Sequence, residues 1–404
     1  MFQYGSIQQA AVTTVLGCFS FALHVYISRL LSGDSMHFAP SIPWLFTTIC
    51  LQKKMGRGFS IVLLSHITIA FLIYNRFGTS KQLLNRVLLY PAVSSMIALT
   101  FASYTPLIPT SSIAVVGLQQ MWSILGGLLM LVLFPATFLS EAEPQYLRDE
   151  RLALLFRKAD GRVAERHTIP SRNGITLDAV VVRQSAASNH WIVYFGGNAE
   201  MMEDTADDMS GLTDIVRANW VFYNARGVGC STGYVAEVRD LVEDAGAVVD
   251  FVMSYFTIKP GNLLLWGHSI GGGVAAAVAR QRCPQCPILL DRTFSRLSDA
   301  AVKFSPLPPP LTKQLIRCTA GDLDVVGDCG AVQGKKLVIY HRMDEVIAYD
   351  IASLGRPDAF REKPLVGGNK LELRLTNGQS PHNSLLSSFD SSVALRRYIE
   401  ELLA

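Results

Sequence analysis

The stretch LLWGHSIGGGV (264–274) ends an apolar run at a serine and follows it with glycines. Within it, Gly267-His268-Ser269-Ile270-Gly271 matches G-x-S-x-G, a pattern in which the serine sits on a strained strand-to-helix turn with its hydroxyl presented outward. Gly267 and Gly271 are needed because a side chain at either position would collide with a neighbouring strand or helix. A serine hydroxyl is a poor nucleophile at neutral pH. It needs a base within hydrogen-bond reach, and that base needs a third group to orient it.

Only two histidines follow Ser269 in the chain, His341 and His382. Behind an elbow of this kind the order is nucleophile, acid, histidine. His382 lies in NGQSPHNSLL (377–386), beyond the last candidate strand, and is the candidate base. His341 ends a strand of its own and precedes the candidate acid, so it reads as a satisfied strand-end residue. KLVIYHRMDEVI (336–347) offers Asp344 a few residues past its strand, placed to fix the imidazole tautomer. Asp291, at the end of the preceding strand, is its rival, although a carboxylate there could equally cap a helix over RTFSRL. Glu345 reads as a solvated neighbour of Asp344. A developing oxyanion calls for two backbone amides. Ile270, the residue after the nucleophile, supplies one. YFGGNAE (194–200) supplies the other through Asn198, with Gly196 and Gly197 letting the backbone approach; a plain tight turn is the alternative for this segment.

These residues need elements to hold them. From about residue 165, short apolar runs alternate with helical stretches. WIVYF (191–195), WVFYN (220–224), NLLLWG (262–267), PILLD (287–291) and KLVIYH (336–341) read as buried strands, and LELRL (371–375) as the last. HTIPSRNGITLDAVVVRQ suggests two antiparallel strands about Asn173-Gly174. Val238–Tyr255 and Gly272–Arg280 read as helices. The pattern predicts an α/β fold, a mostly parallel wound sheet covered on both faces. Its reactive residues belong at the carboxyl ends of the strands.

Other motifs are weaker. Arg226-Gly227-Val228-Gly229 lacks the Gly-Lys-Ser/Thr end of a phosphate loop. Cys283-Pro-Gln-Cys286 has redox spacing, but no second C-x-x-C supports zinc, and it reads as two thiols in a helix-to-strand connection. No metal and no cofactor is expected. A net charge of +3 without a dense basic tract argues against nucleic acid.

The front of the chain has a different texture. The whole is 50% hydrophobic and only 17% charged, less charged than ordinary soluble domains, so part of it is expected outside water. From Val87 to Ser140 there is no Asp, Glu, Lys, Arg or His. That stretch has room for two membrane spans with TPLIPTSS (105–112) as the turn between them. Ala10–Leu31 and Gly58–Asn75 are two further candidates, and a buried helical domain is the alternative for all four. The expected division is a membrane region over 1–140 with four transmembrane helices, a charged linker over 141–164 and a catalytic domain over 165–404. No basic stretch precedes Ala10, so a cleavable signal peptide fits poorly. Arg148, Arg151, Arg157 and Lys158 just beyond the last span lean towards a cytoplasmic catalytic domain on a multi-pass membrane protein.

Taken in order, YFGGNAE, YNARGVGCSTG (223–233), LLLWGHSIGGGVAAAVA, DRTFSRL (291–297), HRMDEVIAY (341–349) and PHNSLL resemble the α/β-hydrolase superfamily. More narrowly they are similar to the chlamydial CHLPS-type hydrolases and related membrane-associated serine hydrolases. The resemblance runs from about 165 to the end and implies the hydrolase fold and the triad Ser269, Asp344, His382. It departs at Gly196, where many relatives carry a histidine in H-G-N-A. The expected function is a membrane-anchored serine hydrolase cleaving esters or thioesters, lipids among them, through an acyl-enzyme. The alternative is a catalytically silent hydrolase fold acting as a membrane-bound interaction module. SPLPPPLTKQL (305–315) is a candidate rim or short lid, with Leu307 and Leu311 placed to meet acyl chains.

Overall fold

A computed structural model of the protein describes residues 163–404 apart from 185–187, 199, 204–210, 214–215, 234, 236, 306, 375–379, 385 and 391, together with Glu150. The four candidate spans lie outside the described residues, as does all of the linker except Glu150 and its last two positions. Among the described residues no helix is long and apolar enough to cross a membrane.

A hairpin opens the fold. β1 (Val163–Pro170) pairs antiparallel with β2 (Thr176–Arg183), Pro170 facing Thr176. The connection is longer than a bare two-residue turn: Arg172–Gly174 form a short 3-10 turn, and Ser171 N–H closes onto Ile175 O at 2.7 Å. Asn173 and Gly174 take positive φ, 59° and 74°, as an Asn-Gly pair does most readily.

Six parallel strands complete the sheet: β3 (Trp191–Phe195), β4 (Asn219–Tyr223), β5 (Leu263–His268), β6 (Ile288–Asp291), β7 (Lys336–Tyr340) and β8 (Gly368–Glu372). The spatial order is β1-β2-β4-β3-β5-β6-β7-β8, with β2 antiparallel to β4. β3, β5 and β6 are buried along their whole length. Strands covered on both faces read as unbroken apolar runs, which is why they stand out in the sequence. The last strand does not. It begins three residues earlier than LELRL suggests, because parallel pairing of Lys336–Tyr340 with Gly368–Glu372 recruits Gly-Asn-Lys, residues with little strand propensity of their own.

The α-helices described in full are α1 (Val238–Tyr255), α2 (Ile270–Arg282), α3 (Leu297–Ala301), α4 (Pro309–Thr319), α5 (Val325–Ala331) and α6 (Ser392–Leu403). A capping box between Glu237 and Asp240 starts α1. The proline-rich candidate lid runs into α4, with Pro309 and Pro310 in the first turn, where no intrahelical N–H is missed. On one face of the sheet Trp220, Phe222, Trp266, Leu289 and Leu337 pack with Leu395, Ile399 and Leu402 of α6.

α2 packs unusually close to the strands. A Cβ on Gly271 would lie 2.0 Å from Phe195 O, and one on Gly267 would lie 2.1 Å from Gly271 O. Both obstacles are backbone and cannot rotate away. Gly271→Ala should therefore lower stability by about 3 kcal/mol or more. A melting temperature equal to that of the wild type would contradict this packing.

Candidate active site

Ser269 follows β5 and precedes α2 with φ 53° and ψ −122°, a backbone region that side chains rarely enter. The strain is held on both sides. Ser269 N–H donates to Asp291 O at 2.9 Å, and Ser269 O accepts from Thr293 Oγ1 at 2.6 Å and from Gly272 N–H at 3.0 Å. His382 comes from the loop after β8 and Asp344 from the loop after β7. His382 Nε2 lies 3.0 Å from Ser269 Oγ, and Nδ1 lies 2.9 Å from Asp344 Oδ2. An ionised carboxylate only accepts, so Nδ1 carries the hydrogen and Nε2 accepts from the serine hydroxyl. All three residues are buried.

Asp344 is itself fixed: its Oδ1 accepts from Val346 N–H at 2.9 Å and Ile347 N–H at 2.7 Å. Glu345 is more than a solvated neighbour. Its Oε2 accepts from His382 N–H at 3.1 Å, tying the loops of acid and base together. The rival Asp291 does not touch the imidazole, nor does it cap a helix, since the residue preceding α3 is Arg296. Its carboxylate instead accepts from Arg292 Nε at 2.6 Å and Nη2 at 2.9 Å. Burial alone would raise its pKa, but the adjacent guanidinium holds the carboxyl below its ordinary value. His341 sits at the end of β7, where its Nδ1 accepts from Met343 N–H at 3.0 Å.

The loop after β3 lies over the elbow. Gly197 N–H donates to the Glu200 carboxylate, so this amide is excluded as an oxyanion donor. Ile270 is the first residue of α2, and its N–H has no acceptor within the helix. Asn198 and Ile270 line one cavity of about 60 Å³ with Gly196, Val228, Leu241 and Val274. Glu200 was not foreseen in this role. Its Oε2 stands 3.7 Å from His268 Nδ1, while His268 Nε2 donates to His382 O at 3.1 Å. Burial pushes the Glu200 carboxyl up, but contacts with His268, the Gly197 amide and Tyr194 outweigh it, and the net direction is down. The Arg226 loop follows β4, and Arg226 is anchored by Asp244 and Asp240 of α1.

One group among the described residues has metal-ligand composition: Asp178, Glu203 and Cys230 bring donor atoms within 4.8 Å of one another. Asp178 is already engaged by the Arg166 guanidinium at 2.6 Å through both oxygens. Cys283 and Cys286 are buried free thiols between α2 and β6, and Cys318 and Cys329 are also free.

The strand order, the glycine-framed elbow and the chain order of serine, aspartate and histidine define an α/β-hydrolase fold. Comparison with known proteins agrees. A family model described as serine aminopeptidase, S33 (Hydrolase_4) matches residues 192–315, a span that includes Ser269. The chain is 31% identical over 144 residues to the lysophosphatidylserine lipase ABHD12 of Mus musculus, covering 33% of this chain and 35% of that protein. It is 28% identical over 138 residues to protein bem46 of Schizosaccharomyces pombe, covering 33% and 46%. The matches thus span less than half the length of these relatives. An α/β-hydrolase from Vibrio vulnificus superposes with a TM-score of 0.50 at 15% identity over 67% of this chain and 92% of that one.

Burial pushes the His382 pKa down; Asp344 pulls it up and the positive field of His268 pushes it further down, for a net value below 6.5. The imidazole is therefore neutral at pH 7. Since its folded pKa is depressed, the unfolded chain binds the extra proton first. His382 accordingly removes stability as pH falls below about 6.5, and the loss levels off below the folded value. In a histidine NMR titration, His382 should titrate below the ordinary range, and Asp344→Asn should lower it further. An upward move would contradict the assigned partner.

Proposed function

We propose that the protein is a membrane-anchored serine hydrolase that cleaves carboxylic esters or thioesters through an acyl-enzyme. The observation that carries this reading is the unbroken hydrogen-bonded run Ser269–His382–Asp344 at the carboxyl edge of the sheet. In this reading His382 takes the serine proton as Oγ attacks the ester carbonyl, and Asp344 stabilises the imidazolium that forms. The Ile270 and Asn198 amides receive the oxyanion. His382 then returns its proton to the leaving alcohol or thiol, and water repeats the sequence to release the acid. No cofactor or metal takes part.

The likeness to a lysophosphatidylserine lipase favours a lipid ester, as does the charge-free stretch Val87–Ser140, read as two of four spans with the hydrolase domain on the cytoplasmic side. The narrower likeness to the chlamydial CHLPS-type membrane-associated hydrolases rests on the sequence motifs. In this reading the cavity of about 60 Å³ lined by Asn198 and Ile270 takes the start of the acyl group. In the same reading a long chain continues over the candidate lid, where Leu307 and Leu311 are 38% and 54% exposed. Such a tethered enzyme meets bilayer lipids at high effective concentration.

Ser269→Ala and His382→Ala should each abolish turnover of p-nitrophenyl esters, because nucleophile and base act as a unit. Asp344→Asn should cost roughly 10⁴ in kcat by imposing the wrong tautomer. A catalytically silent fold predicts instead that well-folded wild-type protein shows no Ser269-dependent labelling by a fluorophosphonate, and that result would sink the enzyme reading. Replacing Leu307 and Leu311 together by serine should reduce turnover of dodecanoate about tenfold more than that of acetate. An unchanged ratio removes them from the acyl path.

A further inference from the structure

DRTFSRL (291–297) begins on the last residue of β6 and supplies no atom to the reaction proposed above, yet its first three residues reach both halves of the site. Asp291 O accepts the Ser269 N–H, and Thr293 Oγ1 donates to Ser269 O. Between them the Arg292 side chain runs to the loop of the base. Its Nη1 donates to Pro381 O at 2.9 Å and to Ser384 O at 2.7 Å, carbonyls on either side of His382. Its Nε and Nη2 hold both oxygens of Asp291, so the guanidinium is forked between the strand end and the base loop. The remaining face of the cation lies 5.6 Å from the Phe389 ring centroid.

This arrangement is costly in two ways. Both charges are buried, Arg292 at 5% and Asp291 at 2% exposure, and a buried ion pair is commonly no more stable than apolar residues of the same shape. Arg292 also takes φ 44°, a left-handed conformation that a long side chain adopts only where its surroundings enforce it. Both costs fall on Arg292, whose donors end on carbonyls either side of the base. Stability of the sheet does not call for them, whereas the relative placement of His382 and Ser269 does.

We infer that Arg292, oriented by Asp291, is a positioning residue for His382. It sets the height of the base loop while the backbone of Asp291 and the hydroxyl of Thr293 set that of the nucleophile. One three-residue segment thereby fixes the distance between Nε2 and Oγ. This rests on the reading of Ser269 as nucleophile and His382 as base. Because a displacement of about 1 Å at reacting atoms can cost 10²-fold, the effect belongs to kcat rather than to KM.

The test compares Arg292→Lys and the double variant Asp291→Asn/Arg292→Gln with wild type, in the full-length chain in detergent. The double variant removes both charges together and leaves no unpaired ion behind. Turnover of p-nitrophenyl acetate is expressed per site titrated to completion with a fluorophosphonate, so partial unfolding does not enter. The double variant should melt near the wild-type temperature with kcat about 100-fold lower and KM within about twofold. Arg292→Lys keeps the charge but loses the planar fork, and its kcat should fall about tenfold. A double variant with wild-type kcat makes the pair merely structural and overturns the inference. Should the double variant not fold, Arg292→Lys decides alone, and an unchanged kcat per titrated site overturns it. Turnover that survives in Ser269→Ala sinks the hydrolase reading itself, whatever the Arg292 variants do.

Discussion

The whole site depends on one tight backbone turn. Ser269 can present its hydroxyl at the sheet edge only by entering a disfavoured region of φ and ψ, at a cost on the order of 1–3 kcal/mol. What holds it there is proximity. Gly267 and Gly271 let α2 start directly against the ends of β3 and β5, closer than any Cβ allows. The same closeness brings the Ile270 amide beside the loop after β3. The place of the Ser269 hydroxyl, the Ile270 wall of the cavity and the seat of a helix thus follow from a single geometric demand. Relaxing the turn to spare its strain would take all three away.

Against that fixed point His382 must be placed from 113 residues away in the chain. Its side chain alone could not do so, since an imidazole with two hydrogen bonds still pivots with its backbone. The backbone is therefore held as well. Glu345 takes the His382 N–H, His268 donates to the His382 carbonyl, and Arg292 grips the carbonyls of Pro381 and Ser384. Each anchor comes from a different strand end: β7, β5 and β6. A parallel sheet suits this because all its carboxyl ends converge on one edge, and each connecting loop contributes one contact.

The parts legible in the sequence were those with a local signature. The fully buried strands read as apolar runs, α1 was found to the residue, and the elbow announced itself through its glycines. The order of serine, acid and histidine narrowed the base to His382 but left Asp344 with Asp291 as its rival; the structure brings Asp344 and His382 together with Ser269. What escaped were contacts between segments far apart in sequence. Nothing near Asp291 says that its carboxylate meets the next residue's guanidinium rather than a helix end. Nothing near Glu345 says that it reaches His382. The last strand was placed late for a related reason: Gly368–Lys370 are extended because β7 pairs with them, not because of their own side chains.

The Gly196-Gly197 pair has a cause that the local sequence does not reveal. The local reading assigns both glycines to a close backbone approach. Yet a Cβ on Gly196 would stand 3.2 Å from the Glu200 carboxyl carbon, and one on Gly197 would stand 3.0 Å from His268 Nδ1. The space the glycines leave is thus bordered by Glu200 and His268, and Glu200 takes up the Gly197 amide. A carboxylate in this place needs partners, and the Gly197 N–H, Tyr194 and His268 supply them. Since His268 also holds the His382 carbonyl, the oxyanion loop and the base loop are joined through one carboxylate–imidazole contact. A histidine at position 196, as in the H-G-N-A motif, would bring its Cβ against that carboxylate. The glycine at 196 and the glutamate at 200 are therefore two halves of one solution, and neither explains the loop without the other.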